Sequence, residues 1–362
     1  MAKSPFKPSI NWLLAFIPIT VLLENGHASA PVVFFSAAIA IVPIASLIVH
    51  ATEQLARRTG DAVGGLLNAT FGNAPELIIA TVALKAGLVQ MVLASIIGAI
   101  LANLLLAVGV AFLLGGLRYK EQRYNADATR MYASMMLIAV ISLMVPGAFS
   151  SVFAPDSTII QEHYVSLGLA IVLLLLYALY LVFMLKTHPG VFASEGETDD
   201  HEEHGPAWSL PRAIASLVGA SVLAAWMSEI LVGAAEGTGE ALGMSQAFIG
   251  IVFLALVGGA AESGSAIAMA RRNKVDLTMG IALGSSIQIA LFVAPALVIA
   301  SYFIAPTPLQ LNFGRPLSAI LLLAVLIGTI VAGGGRSNWF KGVQLIAVYA
   351  IFALLFYFVP TP

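Results

Sequence analysis

The sequence contains no cysteine, and only 10% of its 362 residues are charged. The absence of cysteine excludes disulfides, thiolate metal sites and cysteine nucleophiles. The shortage of charge excludes an ordinary soluble domain, in which about 25% of residues are charged. With 59% hydrophobic residues and a mean hydropathy of +0.95, the chain has too little polar surface for a water-soluble core. We infer an integral membrane protein.

Two further absences narrow the class of protein to which the chain can belong. The formal net charge is only −2 and no basic stripe runs along the chain, so no nucleic-acid partner is expected. The opening stretch MAKSPFKPSINWLLAFIPITVLLEN has two lysines and an apolar run but lacks a small-residue cleavage site. This pattern predicts a retained first helix rather than a signal peptide.

Long apolar segments are what the chain does have, and a helix needs about 20 such residues to cross a bilayer. Eleven segments qualify or nearly qualify, near residues 10–24, 31–56, 62–84, 88–116, 129–151, 164–186, 211–233, 245–270, 277–304, 316–334 and 339–359. The first is short and is predicted to be peripheral. The predicted fold class is an all-α integral membrane protein with about 11 transmembrane helices.

Lysine and arginine orient these segments, because cytoplasmic loops of membrane proteins carry the excess of both residues. With the N-terminus inside, all of the 17 basic residues fall inside except Lys85 and Arg315. This predicts a multi-pass protein with a cytoplasmic N-terminus and an outside C-terminus. The compact chain favours a prokaryotic plasma (inner) membrane.

The chain contains an internal repeat. Gly72–Glu76 (GNAPE) aligns with Gly258–Glu262 (GGAAE) at a shift of 186 residues, and the same shift places Gly98 over Gly284. Upstream, HATEQL resembles GAAEGT at a slightly smaller shift. Spans 2–6 therefore resemble spans 7–11, and an odd number of helices per copy inverts the second copy in the membrane.

The repeat divides the chain into four regions. Residues 1–30 form the N-terminal peripheral helix, and residues 31–190 form the first five-helix repeat. Residues 191–207 form an acidic cytoplasmic linker, and residues 208–362 form the second, inverted repeat. Inverted repeats with Gly- or Pro-interrupted segments at matching positions indicate a midplane site in secondary transporters.

Glu76 and Glu262 occupy equivalent places inside apolar spans. A lone ionised carboxylate there costs at least a few kcal/mol, and the cost falls when a proton or a cation neutralises it. Two such acids meeting near the midplane accept either a divalent cation or two protons, as an exchanger requires. The alternative is that each acid only packs against a polar neighbour, which the repetition at equivalent positions disfavours.

Other residues near these acids supply candidate ligands, since hard cations such as calcium take six to eight oxygens. Pro75 frees a backbone carbonyl, Gly72 allows close approach, and Asn73 lies near the Glu76 face of the helix. The remaining candidates are small or polar residues of the second motif and of spans 4 and 9: Gly258, Gly259, Ser263, Asn103, Ser285, Ser286 and Gln288.

The two long motifs resemble one known family. GNAPELI followed by GAILANLLLAVG, then a second glutamate motif followed by ALGSSIQIALFVAP, is similar to the calcium/proton exchangers of the cation exchanger superfamily. The likeness runs from about span 2 to the C-terminus. It implies an eleven-helix antiporter that moves calcium against protons, with Glu76 and Glu262 as essential acids and Asn73 as a further ligand.

The resemblance also implies glutamates for proton access and gating on the helix before each motif. Glu53 matches the first, and both Glu229 and Glu236 fit the second. The second family motif usually reads G-N-A-A-E-H, whereas this chain has Gly259 and Ser263 in place of the asparagine and the histidine. The second half therefore lacks an amide oxygen and an imidazole.

Several alternatives stay open at this point. A sodium-coupled calcium exchanger, or an antiporter for Mn²⁺ or Cd²⁺, would fit the same scaffold. An intramembrane enzyme is disfavoured, because among six histidines only His50 lies within a span. We expect a secondary transporter without a cofactor, and a homo-oligomer is left open. The acids of the linker are predicted to be a solvated spacer or a calcium-sensing segment: Glu195, Glu197, Asp199, Asp200, Glu202 and Glu203.

Overall fold

The computed structural model describes residues 10–59, 61–191 and 208–358. Within these residues, eight helices are long and apolar enough to cross a membrane, and a bent helix pair makes a ninth span if counted as one. The predicted linker acids, Lys3 and Lys7 lie outside the described residues. The prediction of a helical membrane protein is confirmed.

The helices follow the apolar segments of the sequence. Those of the first half are α1 (Ile10–Asn25), α2 (Ala30–Thr59), α3 (Asp61–Phe71), α4 (Ala74–Lys85), α5 (Val89–Tyr119), α6 (Ala126–Phe153) and α7 (Ile159–Thr187). Those of the second half are α8 (Leu210–Leu242), α9 (Gln246–Gly258), α10 (Ala260–Arg271), α11 (Val275–Ile304), α12 (Gly314–Ala332) and α13 (Trp339–Phe358). Each predicted segment coincides with one helix, or with the pairs α3–α4 and α9–α10, to within about five residues, except that α8 continues nine residues beyond the predicted segment 211–233.

Side-chain caps fix the first turns of two helices. The Asn125 side chain accepts hydrogen bonds from the amides of Asp127 and Ala128, both at 2.9 Å, and so begins α6. Thr158 and Gln161 form a reciprocal capping box at the start of α7. Both arrangements satisfy amides that have no partner within the helix.

A small sheet, which the hydropathy pattern does not indicate, joins two loops. Strands β1 (Glu121–Arg123) and β2 (Arg336–Asn338) pair antiparallel, with Gln122 opposite Ser337. Strands of three residues are too short to show an alternating pattern in the sequence. The pairing connects the end of α5 to the start of α13.

Most basic residues gather at one end of the molecule, which we call the basic end. Arg118 Nη1 donates to the carbonyl of Arg271 at 3.2 Å, and Arg58 Nε donates to the carbonyl of Trp208 at 2.5 Å. These bonds tie the ends of α5, α10 and α2 to their neighbours on the same side as the small sheet. Lys85, in the last turn of α4, lies at the opposite end.

Two apolar cores hold the helices together. One is built mainly from α2, α8 and α9, with Phe34 and Ile41 fully buried in it. The other is built mainly from α5, α6, α7, α11, α12 and α13, with Phe112 and Leu321 fully buried in it. The broken helices α4 and α10 lie between these assemblies, which places the polar residues of both motifs in the interior.

Candidate functional site

Two broken helices carry the glutamates of the two repeat motifs. α4 begins after a turn at Gly72 and Asn73, and α10 begins after Gly259, where the chain bends by 61°. Glu76 and Glu262 are each the third residue of their helix. Because the first amides of a helix lack internal partners and the helix dipole is positive there, both acids lie where negative charge is stabilised.

Each carboxylate lies against the break of the other half. A Cβ atom placed on Gly259 would lie 3.5 Å from Oε1 of Glu76, and one placed on Gly258 would lie 2.9 Å from its Cγ. A Cβ atom placed on Gly72 would lie 3.5 Å from Oε1 of Glu262. The glycines therefore let the two acids approach each other between the breaks.

A polar network surrounds Glu262. The Ser285 hydroxyl contacts the Glu262 carboxylate, lies 2.9 Å from Oδ1 of Asn73, and accepts a hydrogen bond from Asn103 Nδ2 at 3.1 Å. The Asn73 amide group donates to Oε1 of Gln288. Five predicted ligands from α10, α11, α5 and the turn before α4 are thus brought together.

Glu76 differs from Glu262 in its surroundings. Its side chain is buried, with 8% exposure. Among the described residues, neither of its carboxylate oxygens has a hydrogen-bond partner. A buried acceptor without a partner is costly, and a buried charge more so. The environment of Glu76 therefore favours a bound proton or cation.

A cavity of about 320 Å³ reaches this network from the basic end. Its floor includes Glu262, Ser285 and Gln288, and its mouth includes Asn125 and Asp276. The Asp276 carboxylate accepts a hydrogen bond from the Asn125 amide at 2.6 Å, which joins the starts of α6 and α11. Solvent at the basic end can therefore approach Glu262.

The repeat-equivalent glycines show that the two sides of the site are packed differently. A Cβ atom on Gly98 would overlap the backbone of Ile251, so α5 and α9 are in direct backbone contact. A Cβ atom on Gly284 would meet no atom within 4 Å in the described structure. The side that contains Gly98 is closed, and the side that contains Gly284 is open to the cavity.

The helices that follow the two broken helices, α5 and α11, each contain a π-helical segment at equivalent positions. These segments are Ala102–Ala107 in α5 and Ile289–Val293 in α11. Asn103 lies in the first segment and Gln288 directly precedes the second. Such segments are frequent at functional sites. Here they flank the polar network on both sides.

The predicted gating acids lie at opposite ends of the molecule. Glu53 is exposed and lines the cavity at the basic end, with its carboxylate 3.7 Å from the His50 ring. Glu229 and Glu236 line a separate depression of about 400 Å³ at the opposite end, beside Lys85. This arrangement is what an inverted repeat predicts for acids on equivalent helices.

The predicted ligand Ser286 has its hydroxyl engaged by its own helix, whereas for Ser263 only the backbone amide is engaged in this way. The Ser286 hydroxyl donates to the carbonyl of Ala282 at 2.9 Å. Ser263 follows Glu262 in α10, and its amide donates to the carbonyl of Gly259 at 2.9 Å. The structure therefore favours Ser285 over Ser286 as the serine of α11 that faces the acids.

Some residues that line the cavity were not singled out from the sequence. Asn68 lies one turn before Gly72, and its carbonyl accepts the Gly72 amide at 2.8 Å. Asp276 lies in the first turn of α11. The four-residue spacing from Gly72 would have indicated Asn68, but only the packing of α6 against α11 brings Asp276 to the mouth.

Apolar spans around a buried pair of acid-bearing, broken helices define a multi-pass membrane protein of the ion-transport class. The chain belongs to the sodium/calcium exchanger protein family, whose sequence model matches residues 29–186 and again residues 212–358. The resemblance predicted from the two motifs is confirmed.

Several proteins of this family are similar to the chain over nearly its whole length. The Ca²⁺/H⁺ antiporter ChaA of Bacillus subtilis (strain 168) is 41% identical, with 95% of this chain and 97% of that protein covered. A Ca²⁺/H⁺ antiporter of Aphanothece halophytica is 40% identical, with 96% of each covered. The solved structure of native YfkE matches with a TM-score of 0.83 and 37% identity, covering 97% of this chain and 100% of that one.

Proposed function

We propose that the protein is a secondary antiporter that exchanges a divalent cation, foremost Ca²⁺, for protons. The observation that carries the proposal is the meeting of Glu76 and Glu262 at the starts of two broken helices, inside a membrane protein. The Ca²⁺/H⁺ antiporters that are about 40% identical over the whole chain support the same reaction.

The chemistry of the site follows from its two acids. A divalent cation between two carboxylates neutralises both charges, and two protons do the same. The amide oxygens of Asn73 and Asn103 and the Ser285 hydroxyl are neutral oxygens of the kind that complete a calcium shell. A divalent cation and two protons exclude each other from the site. Exposure of the site to each side of the membrane in turn therefore couples cation flux to proton flux.

Alternating access is the proposed mechanism. If the pairs α3–α4 and α9–α10 each count as one span, the proposed arrangement has eleven spans, with two inverted five-span repeats after α1. The two separate matches of the family model support the duplication. The cavity that reaches Glu262 from one end, with Glu76 buried, corresponds to a state open on that side. We assign the basic end to the cytoplasm, because cytoplasmic loops carry the excess of lysine and arginine.

Glu53 is proposed to pass protons or cations at the cavity of the basic end, and Glu236 at the depression of the opposite end. Glu236 is preferred over Glu229 because the repeat of HATEQL in GAAEGT aligns it with Glu53. Gln246 Nε2 donates to Glu236 at 3.1 Å, which holds its carboxylate near the start of α9. No cofactor is needed, since the proton gradient supplies the driving force.

Proteoliposomes with an imposed pH gradient test this function. We expect uptake of Ca²⁺ into the compartment that loses protons, in the complete absence of sodium. Uptake that requires sodium and ignores the pH gradient would instead establish sodium-coupled exchange on the same scaffold. A panel of Ca²⁺, Mn²⁺ and Cd²⁺ at equal concentrations ranks the cations.

A further inference from the structure

The two breaks have the same backbone but different side chains. Asn73 has φ −94° and ψ 20°, and Gly259, its repeat equivalent, has φ −79° and ψ 6°. Residues with side chains adopt this negative-φ region, so the backbone does not require glycine at position 259. A different reason is needed for the absence of a side chain there.

The atoms that face position 259 provide that reason. A Cβ atom on Gly259 would lie 3.5 Å from Oε1 of Glu76 and 3.6 Å from Oδ1 of Asn103, with the carbonyl of Ala255 at 3.3 Å. Three oxygens of carboxylate, amide and backbone type therefore face position 259. Two of them belong to predicted cation ligands.

The equivalent position in the first half is filled. The Asn73 side chain is fully buried, lies against Ser285 and donates to Gln288. One half of the site therefore has an amide fixed by neighbouring side chains, and the other half has no side chain at the position that faces the Glu76 carboxylate. The fold is duplicated, but the ligand shell is not.

We propose that Gly259 is a specificity-determining residue, which leaves one ligand position beside Glu76 and Asn103 for a water molecule carried by the transported ion. The inference rests on the proposed function and adds the form in which the ion binds. A hydroxyl or amide at position 259 would supply that ligand from the protein.

Divalent cations differ in how readily they give up bound water, and this difference affects which of them such a site binds. Mg²⁺ gives up its water reluctantly and usually keeps several waters when bound, whereas Ca²⁺ accepts six to eight oxygens in flexible geometry, including amide carbonyls. A site with room for an ion-bound water discriminates weakly against Mg²⁺. An asparagine at position 259 replaces this water by an amide oxygen and strengthens the preference for Ca²⁺.

The test measures inhibition by Mg²⁺ of Ca²⁺ uptake driven by a pH gradient in sodium-free proteoliposomes. We expect Gly259→Asn to raise the ratio of the Mg²⁺ inhibition constant to the Ca²⁺ KM by about fivefold or more. Gly259→Ala, which adds bulk without an oxygen, is expected to leave this ratio within about twofold. An unchanged ratio in Gly259→Asn, or an equal rise in Gly259→Ala, would overturn the proposal.

The reciprocal variant keeps the test decisive if Gly259→Asn does not fold, as judged by size-exclusion chromatography in detergent. Asn73→Gly opens the first half and is expected to lower the same ratio, and an unchanged ratio counts against the proposal. If the native protein shows no uptake driven by the pH gradient, the proposed function fails. Calorimetric Kd values for Ca²⁺ and Mg²⁺ on the purified variants then test position 259 independently of transport.

Discussion

Glu262 lies on the floor of the cavity in contact with the Ser285 hydroxyl, whereas Glu76 is buried on the other side of the α9–α10 break against Gly258. An ion that enters from the basic end therefore meets Glu262 before Glu76. The two acids are equivalent in the repeat but not in this conformation. Their roles can be separated by substitutions that preserve shape.

Neutralising either acid is expected to abolish exchange. Glu76→Gln and Glu262→Gln keep the size of the side chain but remove the charge that is proposed to bind both proton and cation. Uptake driven by a pH gradient should fall to the level of empty liposomes, while size-exclusion profiles in detergent stay unchanged. Glu240→Gln, an exposed acid of α8, is the matched control and should transport normally. Normal exchange by either core variant would remove that residue from the site.

The adjacent serines of α11 form a second matched pair. Ser285→Ala removes a hydroxyl that contacts Glu262 and Asn73, and a hydrogen bond to a charged group is worth about 1.5–3 kcal/mol. We expect the Ca²⁺ KM to rise about tenfold or more. Ser286→Ala removes a bond within the helix and should change KM by less than about twofold. Equal effects of the two substitutions would contradict the placement of Ser285.

The natural absence of cysteine allows the cavity to be mapped with single cysteines. Ser265→Cys places a thiol in the cavity, and Gly233→Cys places one in the depression at the opposite end. In oriented vesicles, a membrane-impermeant thiol reagent should modify Ser265→Cys from the cytoplasmic side and Gly233→Cys from the other side. Saturating Ca²⁺ should slow the first reaction. Labelling of both from one side would refute the proposed topology.

The glycines Gly98 and Gly284 should respond differently to a methyl group. Gly98→Ala forces α5 away from Ile251, and overpacking of this kind costs about 1–3 kcal/mol. The thermal unfolding midpoint in detergent should therefore fall. Gly284→Ala adds a methyl group where the described structure has no neighbour within 4 Å, so its midpoint should match the native protein. A larger drop for Gly284→Ala would contradict the open side of the site.

Much of the fold follows from hydropathy alone. Long apolar runs give the helices, and Gly72 and Pro75 mark the first break. The second break has neither asparagine nor proline and was found only because it aligns with the first. Sequence periodicity could not give the small sheet or the packing of α6 against α11, because both depend on contacts between distant segments.

The candidate site could be predicted as a set of residues but not as a set of contacts. The sequence indicates Asn73, Asn103, Ser285 and Gln288 as polar residues near the motifs, and the structure joins them in one network. The sequence could not distinguish Ser285 from Ser286, because a rotation of about 100° about the helix axis separates adjacent residues. It also could not indicate which end of the molecule has the open cavity.

The unequal packing of Gly98 and Gly284 would have an evolutionary consequence if the protein alternates between two states as proposed. Under the proposed alternating access the repeats would swap conformations, so the loosely packed position would become the crowded one and each position would experience both environments during every transport cycle. Selection then acts on whichever environment is stricter. A substitution at Gly284 that is silent in this state can still be eliminated, and tolerance at such positions is set by the state in which the residue has the least room.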